Sequence, residues 1–320
     1  MTTQRMTTRT MRTMTRETGT DSEILPQVDK GSLYPTEESR QFKLALVDRI
    51  KYRFERRWIR KQRRYFRQQR DMVLEAFKKF PYIPDPDTGR SGAPVETRFI
   101  PDDWIRDLFE AEDEPGRWVE EFSNLQIGVI TSMGDETMKE LGKAGIIADT
   151  VGFDIAHPEI QQWLADDLSV RSRLINDSTA RQLQTLINNA VAEGKGSAVI
   201  RSRIAEKFNT ISRGRTIAIA RTEVGRAANI SQYQAFRQSG VEKKEWISAR
   251  DGDVRDSHIS LDGQVRDMNE DFSIPAPNDN AGATAPQPMA FGIPGEDINC
   301  RCTMAPIIDP DDEIPAWDGP

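Results

Sequence analysis

Residues 217–265 read IAIARTEVGRAANISQYQAFRQSGVEKKEWISARDGDVRDSHISLDGQV, and the period of the chain changes inside them. Up to Gln238 there is no proline, and Ile217, Val224, Ala228 and Tyr233 recur at near-helical intervals, so this part is expected to be a helix whose apolar face meets a neighbouring module. Gly240 is a helix stop, KKEWISA has strand character, and RDGDVRDSHISLDG is a polar turn region rich in Asp and Gly. Residues 274–297 are dominated by Pro, Asn, Ala and Gly before INCRCTMAPII, residues 298–308, resumes as a short strand. The junction predicts a mainly α fold with a small C-terminal β-rich module over 241–308, an α+β arrangement.

Upstream, the patterning predicts helices over 102–111, 114–141, 158–168, 177–192, 197–208 and 213–238, with breaks at Asn176, Gly194-Lys195-Gly196 and Asn209. Trp104, Leu108, Trp118, Phe122, Leu125, Ile130 and Met138 are core candidates, and 102–240 is expected to form a helical domain. A Pro/Gly-rich linker, 81–101, precedes it. Before that, 36–80 reads as one long basic helix: Glu37 to Phe80 contains no Gly or Pro, and Phe42, Leu46, Ile50, Phe54, Trp58 and Tyr65 recur at helical intervals. Thr36 is its N-cap and Pro81 its stop. Residues 1–35, with alternating Thr, Arg and Met, are expected to be a disordered, mobile arm, and 309–320 an acidic tail.

The chain has 320 residues, enough for two modest domains, and its mean hydropathy of −0.63 with 30% charged residues fits a soluble protein with a large exposed surface. No run approaches the roughly 18–20 apolar residues of a membrane span, and the N-terminus lacks the apolar core of a signal peptide, so action in a cytoplasm or in a particle assembled there is expected. The net charge of −7 conceals polarity. Between Glu37 and Phe80 there are 15 basic residues against 6 acidic ones, whereas 96–123 and 307–320 are acid-rich. Two cysteines, Cys300 and Cys302, exclude a disulfide-stapled secreted scaffold, and a disulfide across one intervening residue would be strained.

Ala220-Arg221-Thr222-Glu223, Trp246, Asp251, Arg255, His258, Asp262-Gly263, Pro294-Gly295 and Asn299-Cys300-Arg301-Cys302 occur in an order and spacing that resemble the phage head morphogenesis family, the Mu F-like minor head proteins, over 177–305. The resemblance implies a minor capsid protein of a tailed bacteriophage, acting at the portal in head morphogenesis and in DNA packaging or ejection. It implies no enzymatic activity. The implied partners are the portal protein, with DNA, the major capsid protein or a scaffolding protein. The implied location is the virion, in the head interior or at the portal vertex, after assembly in the host cytoplasm.

The residues themselves carry three further expectations. Cys300, Cys302 and His258 are zinc ligands by type, and Asp251, Asp253 or Asp262 would complete a tetrahedral structural Zn2+ site, with Asp251 the leading choice. The bland reading stays open beside it: two reduced cysteines and a histidine that caps or bridges a turn. A metal-dependent hydrolase or nuclease using His258 and the nearby aspartates is the alternative function, though the region lacks a second histidine and His157 reads as a cap before Pro158. Second, Arg221 with Asp251 or Asp253, and Glu223 with Arg255, are expected to lock the module onto the last helix. Third, Arg56, Arg57, Arg60, Lys61, Arg63, Arg64, Arg67 and Arg70 form a field suited to DNA phosphates or to an acidic portal surface, the competing reading being a solvated helix face.

Overall fold

In the computed structural model, residues 31–79, 100–101, 103–148 and 150–308 are described. The arm over 1–30, nearly all of the linker 81–101 and the acidic tail 309–320 lie outside the described residues. Helix α1 runs Glu37–Lys78, and Thr36 starts it through a reciprocal cap in which its hydroxyl accepts from the Ser39 N–H and the Ser39 hydroxyl accepts from its own N–H. At 1.5 Å per residue this helix is about 63 Å long. Its inward stripe includes Val47, Phe54, Trp58, Tyr65, Phe66 and Phe77, whereas Phe42, expected on that stripe, is 44% exposed.

Helices α2 (Trp104–Ala111), α3 (Glu114–Lys143), α4 (Pro158–Ala192) and α5 (Ser197–Gln238) complete the helical body. Trp118 stacks on Phe122 with centroids 4.7 Å apart, and Trp58 sits 5.0 Å from Phe122, which fixes α1 against α3. Two expected breaks are absent, because α4 runs through Asn176 and α5 through Asn209. The reason is visible at Asn176. Its amide donates to the Ser172 carbonyl at 2.8 Å, while its oxygen accepts from Tyr65 Oη at 3.1 Å and Gln69 Nε2 at 2.7 Å. A side chain so engaged within its helix and across to α1 does not compete for the local backbone.

Helix α5 is the hub: every residue from Ala227 to Phe236 is buried, with α1, α3 and α4 around it and β6 (Thr303–Ile308) against it. Three of its buried polar side chains tie it to its neighbours: Asn229 donates to the Cys302 carbonyl (3.2 Å), Ser231 to the Ile130 carbonyl (2.5 Å), and Gln232 accepts from Thr303 (2.9 Å). Ile217, expected on the covered face, lies beyond this packing and is 36% exposed.

The main sheet is antiparallel in the order β1-β6-β2-β3, with β1 Gly31–Ser32, β2 Lys243–Ile247 and β3 Val265–Asp267; β4 (Phe272–Ser273) pairs with β5 (Thr284–Ala285). Residues 31–35 therefore leave the expected arm and belong to the fold. Gly31 pairs with Ile308, and Leu33 and Tyr34 are buried with Leu44, Ile247 and Ala305, so two apolar side chains anchor what the polar sequence around them concealed. The larger hydrophobic cluster extends from Val47 of α1 to Met304 of β6, so the helical body and the β-rich module share it.

Candidate metal centre

Short helix α6 (Asp256–Ile259) presents His258, and the segment after α7 (Pro294–Asp297) presents both cysteines. Between α7 and Cys300 the chain reverses at Asn299, whose φ of 61° is a left-handed conformation that Asn tolerates. Its N–H donates to the Thr222 hydroxyl at 3.1 Å, which ties the reversal to α5. Gly225 allows close approach, since a Cβ there would come within 2.5 Å of the Met289 sulfur.

His258 Nδ1 lies 3.5 Å from Cys300 Sγ and 3.6 Å from Cys302 Sγ, with His258 and Cys302 each 1% exposed. A nitrogen at 2.0–2.1 Å and a sulfur at 2.3 Å from one zinc, at a tetrahedral angle, would be separated by about 3.6 Å. The three donor atoms thus fit one ion. His258 Nε2 lies 3.1 Å from Glu296 Oε2, within ion-pair reach though without hydrogen-bond geometry; that oxygen accepts from Ser257 Oγ at 2.7 Å, while Asn280 holds the other carboxylate oxygen. A carboxylate behind a histidine fixes the ring and directs the opposite nitrogen at a metal. Burial would raise the Glu296 pKa, but hydrogen bonds from Asn280 and Ser257, with the nearby His258 and Arg255, outweigh it and hold the carboxyl below its ordinary value.

The two thiols are unequal. Donation from Cys300, then the Ala249 N–H, the Trp246 indole and the Lys51 charge, lower the Cys302 pKa against the opposing effect of burial. Cys300, holding the shared proton and fully buried, is raised well above the ordinary thiol value.

Asp251 is not at this centre. It and Asp253 face Arg301 on the surface, Asp251 at 2.6 Å and Asp253 at 3.5 Å, and Asp262 accepts from the Ser248 N–H at 2.8 Å and binds Arg250. An exposed aspartate beside a surface arginine gains more there than it would in a buried sulfur site, where its charge would be desolvated. Among the described residues the centre therefore has three protein donors, with Glu296 behind one of them. Glu296 went unnoticed in the sequence, where only its position four residues before Cys300 marks it.

The expected lock also has different members. Arg221 is exposed, Glu223 is buried, and Arg255 donates to the Ile298 carbonyl at 2.5 Å. Residues two apart on a helix point about 200° apart, so Arg221 and Glu223 cannot face one module together. Arg226, three residues beyond Glu223, shares its face and forms the clasp: it donates to Asp167 of α4 at 2.5 Å and to the Met289 carbonyl at 2.7 Å, with Asp297 4.0 Å away. Asp297 accepts from the Phe291 and Gly292 N–H groups at 3.1 and 2.8 Å.

Burial, reinforced by the Asp167 charge and opposed by Arg226 and Arg171, pushes Glu223 up to about 7 from 4.5. A carboxyl with a raised folded-state pKa binds its proton more tightly when folded, so its stabilising contribution is complete below 4.5 and is lost as pH rises through about 7. Glu223→Gln is expected to flatten the fall in stability between pH 5 and 8, a fall on the order of 3 kcal/mol. Urea midpoints across that range check it; an unchanged pH slope in the variant would refute the assignment.

Arg49, Arg53, Arg56, Arg60, Arg63, Arg64 and Arg67 are all exposed on α1. At 100° per residue they occupy roughly 100° of arc over about 27 Å. Lys61 pairs with Glu121 at 3.2 Å and Arg70 with Asp71 at 2.7 Å, whereas Arg56, Arg60, Arg63, Arg64 and Arg67 have no carboxylate partner among the described residues.

The family model described as phage Mu protein F like protein matches residues 181–305, a block that contains His258, Glu296, both cysteines and Arg226. Over this block the chain is similar to the Mu F-like family of phage head proteins. Minor head protein GP7 of Bacillus phage SPP1 is 31% identical over 147 residues, 42% of this chain and 45% of that protein. YqbB of Bacillus subtilis is 26% identical over 215 residues, 64% of this chain and 65% of that protein. An NAD(+)–arginine ADP-ribosyltransferase, EFV, of Enterococcus faecalis is 34% identical over 146 residues, 44% of this chain and 28% of that protein. The chain spans less than two-thirds of the length of each of these relatives. No solved structure matches it. Among the described residues no helix is long and apolar enough to cross a membrane.

Proposed function

We propose that this Mu F-like protein is a non-enzymatic minor head component that works at the portal of a tailed phage during assembly and DNA packaging or delivery. The observation that carries the reading is the exposed arginine stripe of α1, without carboxylate partners among the described residues, on a helix that shares its core with the family block. A fixed row of guanidinium groups about 27 Å long attracts either DNA phosphates or the acidic surface of a portal ring. Major capsid or scaffolding protein are further partners in the head, and the virion is the location that follows.

His258, Cys300 and Cys302 are assigned a structural zinc that staples a module of short strands. The alternative, metal-dependent hydrolysis at His258, would require a substrate to reach a ring that is 1% exposed, and the aspartates it would recruit are engaged with Arg301, Arg250 and Ser248.

Co-expression with the cognate portal protein is expected to give a stable complex, and heads made without this protein to form but carry defective DNA content. The purified protein should bind mixed-sequence duplex DNA with no base preference and with affinity that falls steeply with salt. Replacing Arg56, Arg60 and Arg63 together with alanine should lower the slope of log K against log salt by roughly 3. Unaltered binding in that variant, together with no portal complex, would remove the support for the reading.

A further inference from the structure

Between α1 and α5 lies a groove of about 320 Å³. Phe66 and Phe208, 0% and 2% exposed, form its floor, and its walls are Arg67 and Arg70 from α1 with Asn209, Ser212 and Arg213 from α5. Arg70 has Asp71 at 2.7 Å, while Arg67 and Arg213 have no carboxylate partner among the described residues. Three cations around one volume repel each other, and an apolar floor weakens solvent screening of that repulsion. An anion seated among them would relieve it.

We propose that this groove is a phosphate-binding subsite. A planar carboxylate is satisfied by a single guanidinium fork, whereas a tetrahedral group with several oxygens accepts donors from several directions at once. Arg67, Arg70 and Arg213 supply charged donors from two helices, and the Asn209 amide and Ser212 hydroxyl supply neutral ones. The phosphate comes either from a DNA backbone or from a soluble phosphate compound. In the first case the inference rests on the DNA reading above and adds to it: Arg213 lies on a second helix, so a phosphodiester held here would fix the register of the strand along α1.

The full-length protein and its Arg213→Ala, Arg67→Ala/Arg213→Ala and Arg173→Ala variants test this. Arg173 is an exposed arginine of α4 outside the groove. One probe is a mixed-sequence 30-base-pair duplex titrated at several salt concentrations; the other is inorganic phosphate, read as thermal stabilisation against chloride of matched ionic strength. Arg213→Ala is expected to weaken duplex binding roughly five- to tenfold near 0.1 M salt and to lower the salt slope by about 1, the double variant by about 2, and Arg173→Ala by nothing. Phosphate should stabilise the parent protein and not the double variant. Duplex binding of unchanged affinity and slope in the double variant, with no phosphate-specific stabilisation of the parent, would overturn the subsite, remove Arg67 from the DNA contact and leave the rest of the α1 stripe, Arg49 to Arg64, standing. If the parent fails to bind the duplex while phosphate stabilises it and not the double variant, the subsite stands with a soluble phosphate as ligand and the DNA reading falls.

Discussion

Cys302→Ser is expected to yield protein without bound zinc and with stability reduced by more than about 5 kcal/mol, whereas the parent chain purified without chelators carries close to one zinc per molecule. The size follows from the position of the site. Cys302 is 1% exposed, lies 3.6 Å from His258 Nδ1 and directly precedes β6, the strand that pairs with both β1 and β2. Removing one donor from a three-donor centre leaves the remaining thiol and imidazole buried without a common partner. Glu296→Gln separates metal binding from folding: it keeps all three donors but removes the charge behind His258, so zinc affinity should fall roughly 10–100-fold with the fold retained. Metal analysis and chelator competition decide the matter. Metal-free parent protein, folded and with both thiols reduced, would refute the zinc and restore two buried thiols beside a histidine.

Arg226→Ala should destabilise the protein by about 3–5 kcal/mol, against less than about 0.5 kcal/mol for Arg221→Ala. Loss of the Arg226 guanidinium leaves Asp167 and Glu223 buried at 6% and 4% exposure with their principal cation gone, and breaks the hydrogen bond to the Met289 carbonyl that spans from α5 to the β-rich module. Arg221 is exposed and has no such bond. Urea denaturation of the two variants measures the contrast, and equal losses would mean that the module is held by the hydrophobic core alone. Part of the loss at Arg226 should be recovered at pH 5, where Glu223 takes up a proton and no longer needs the cation.

Helix against strand was legible because periodicity is a local property: the change at Gly240, the unbroken 37–78 stretch and the TMAPII part of the expected 298–308 strand all follow from spacing, whereas residues 298–302 are turn and loop. The convergence of His258, Cys300 and Cys302 was legible from residue type, since few other combinations suit one another in a buried place. Long-range pairing was not. Asn176 and Asn209 looked like breaks because nothing local shows that Asn176 is used by Tyr65 and Gln69 of α1. Arg221 rather than Arg226 was assigned the clasp because charge pairing was read from sequence order instead of helix angle, and Glu296 was overlooked because a carboxylate behind a histidine has no spacing rule. Asp251 was given to the metal by nearness in sequence, whereas its partner Arg301 lies 50 residues downstream.

The pairing of Gly31 with Ile308 has a mechanical consequence. In an antiparallel pair the incoming segment and the outgoing one emerge at the same end, their backbones about 5 Å apart. Tension between the two ends of the chain would therefore open the ladder like a zipper, loading its hydrogen bonds one after another instead of shearing them together. The two residues of β1 would peel away first, drawing Leu33 and Tyr34 out of their cluster with Ile247 and Ala305, while the central helix and its surroundings stayed unloaded.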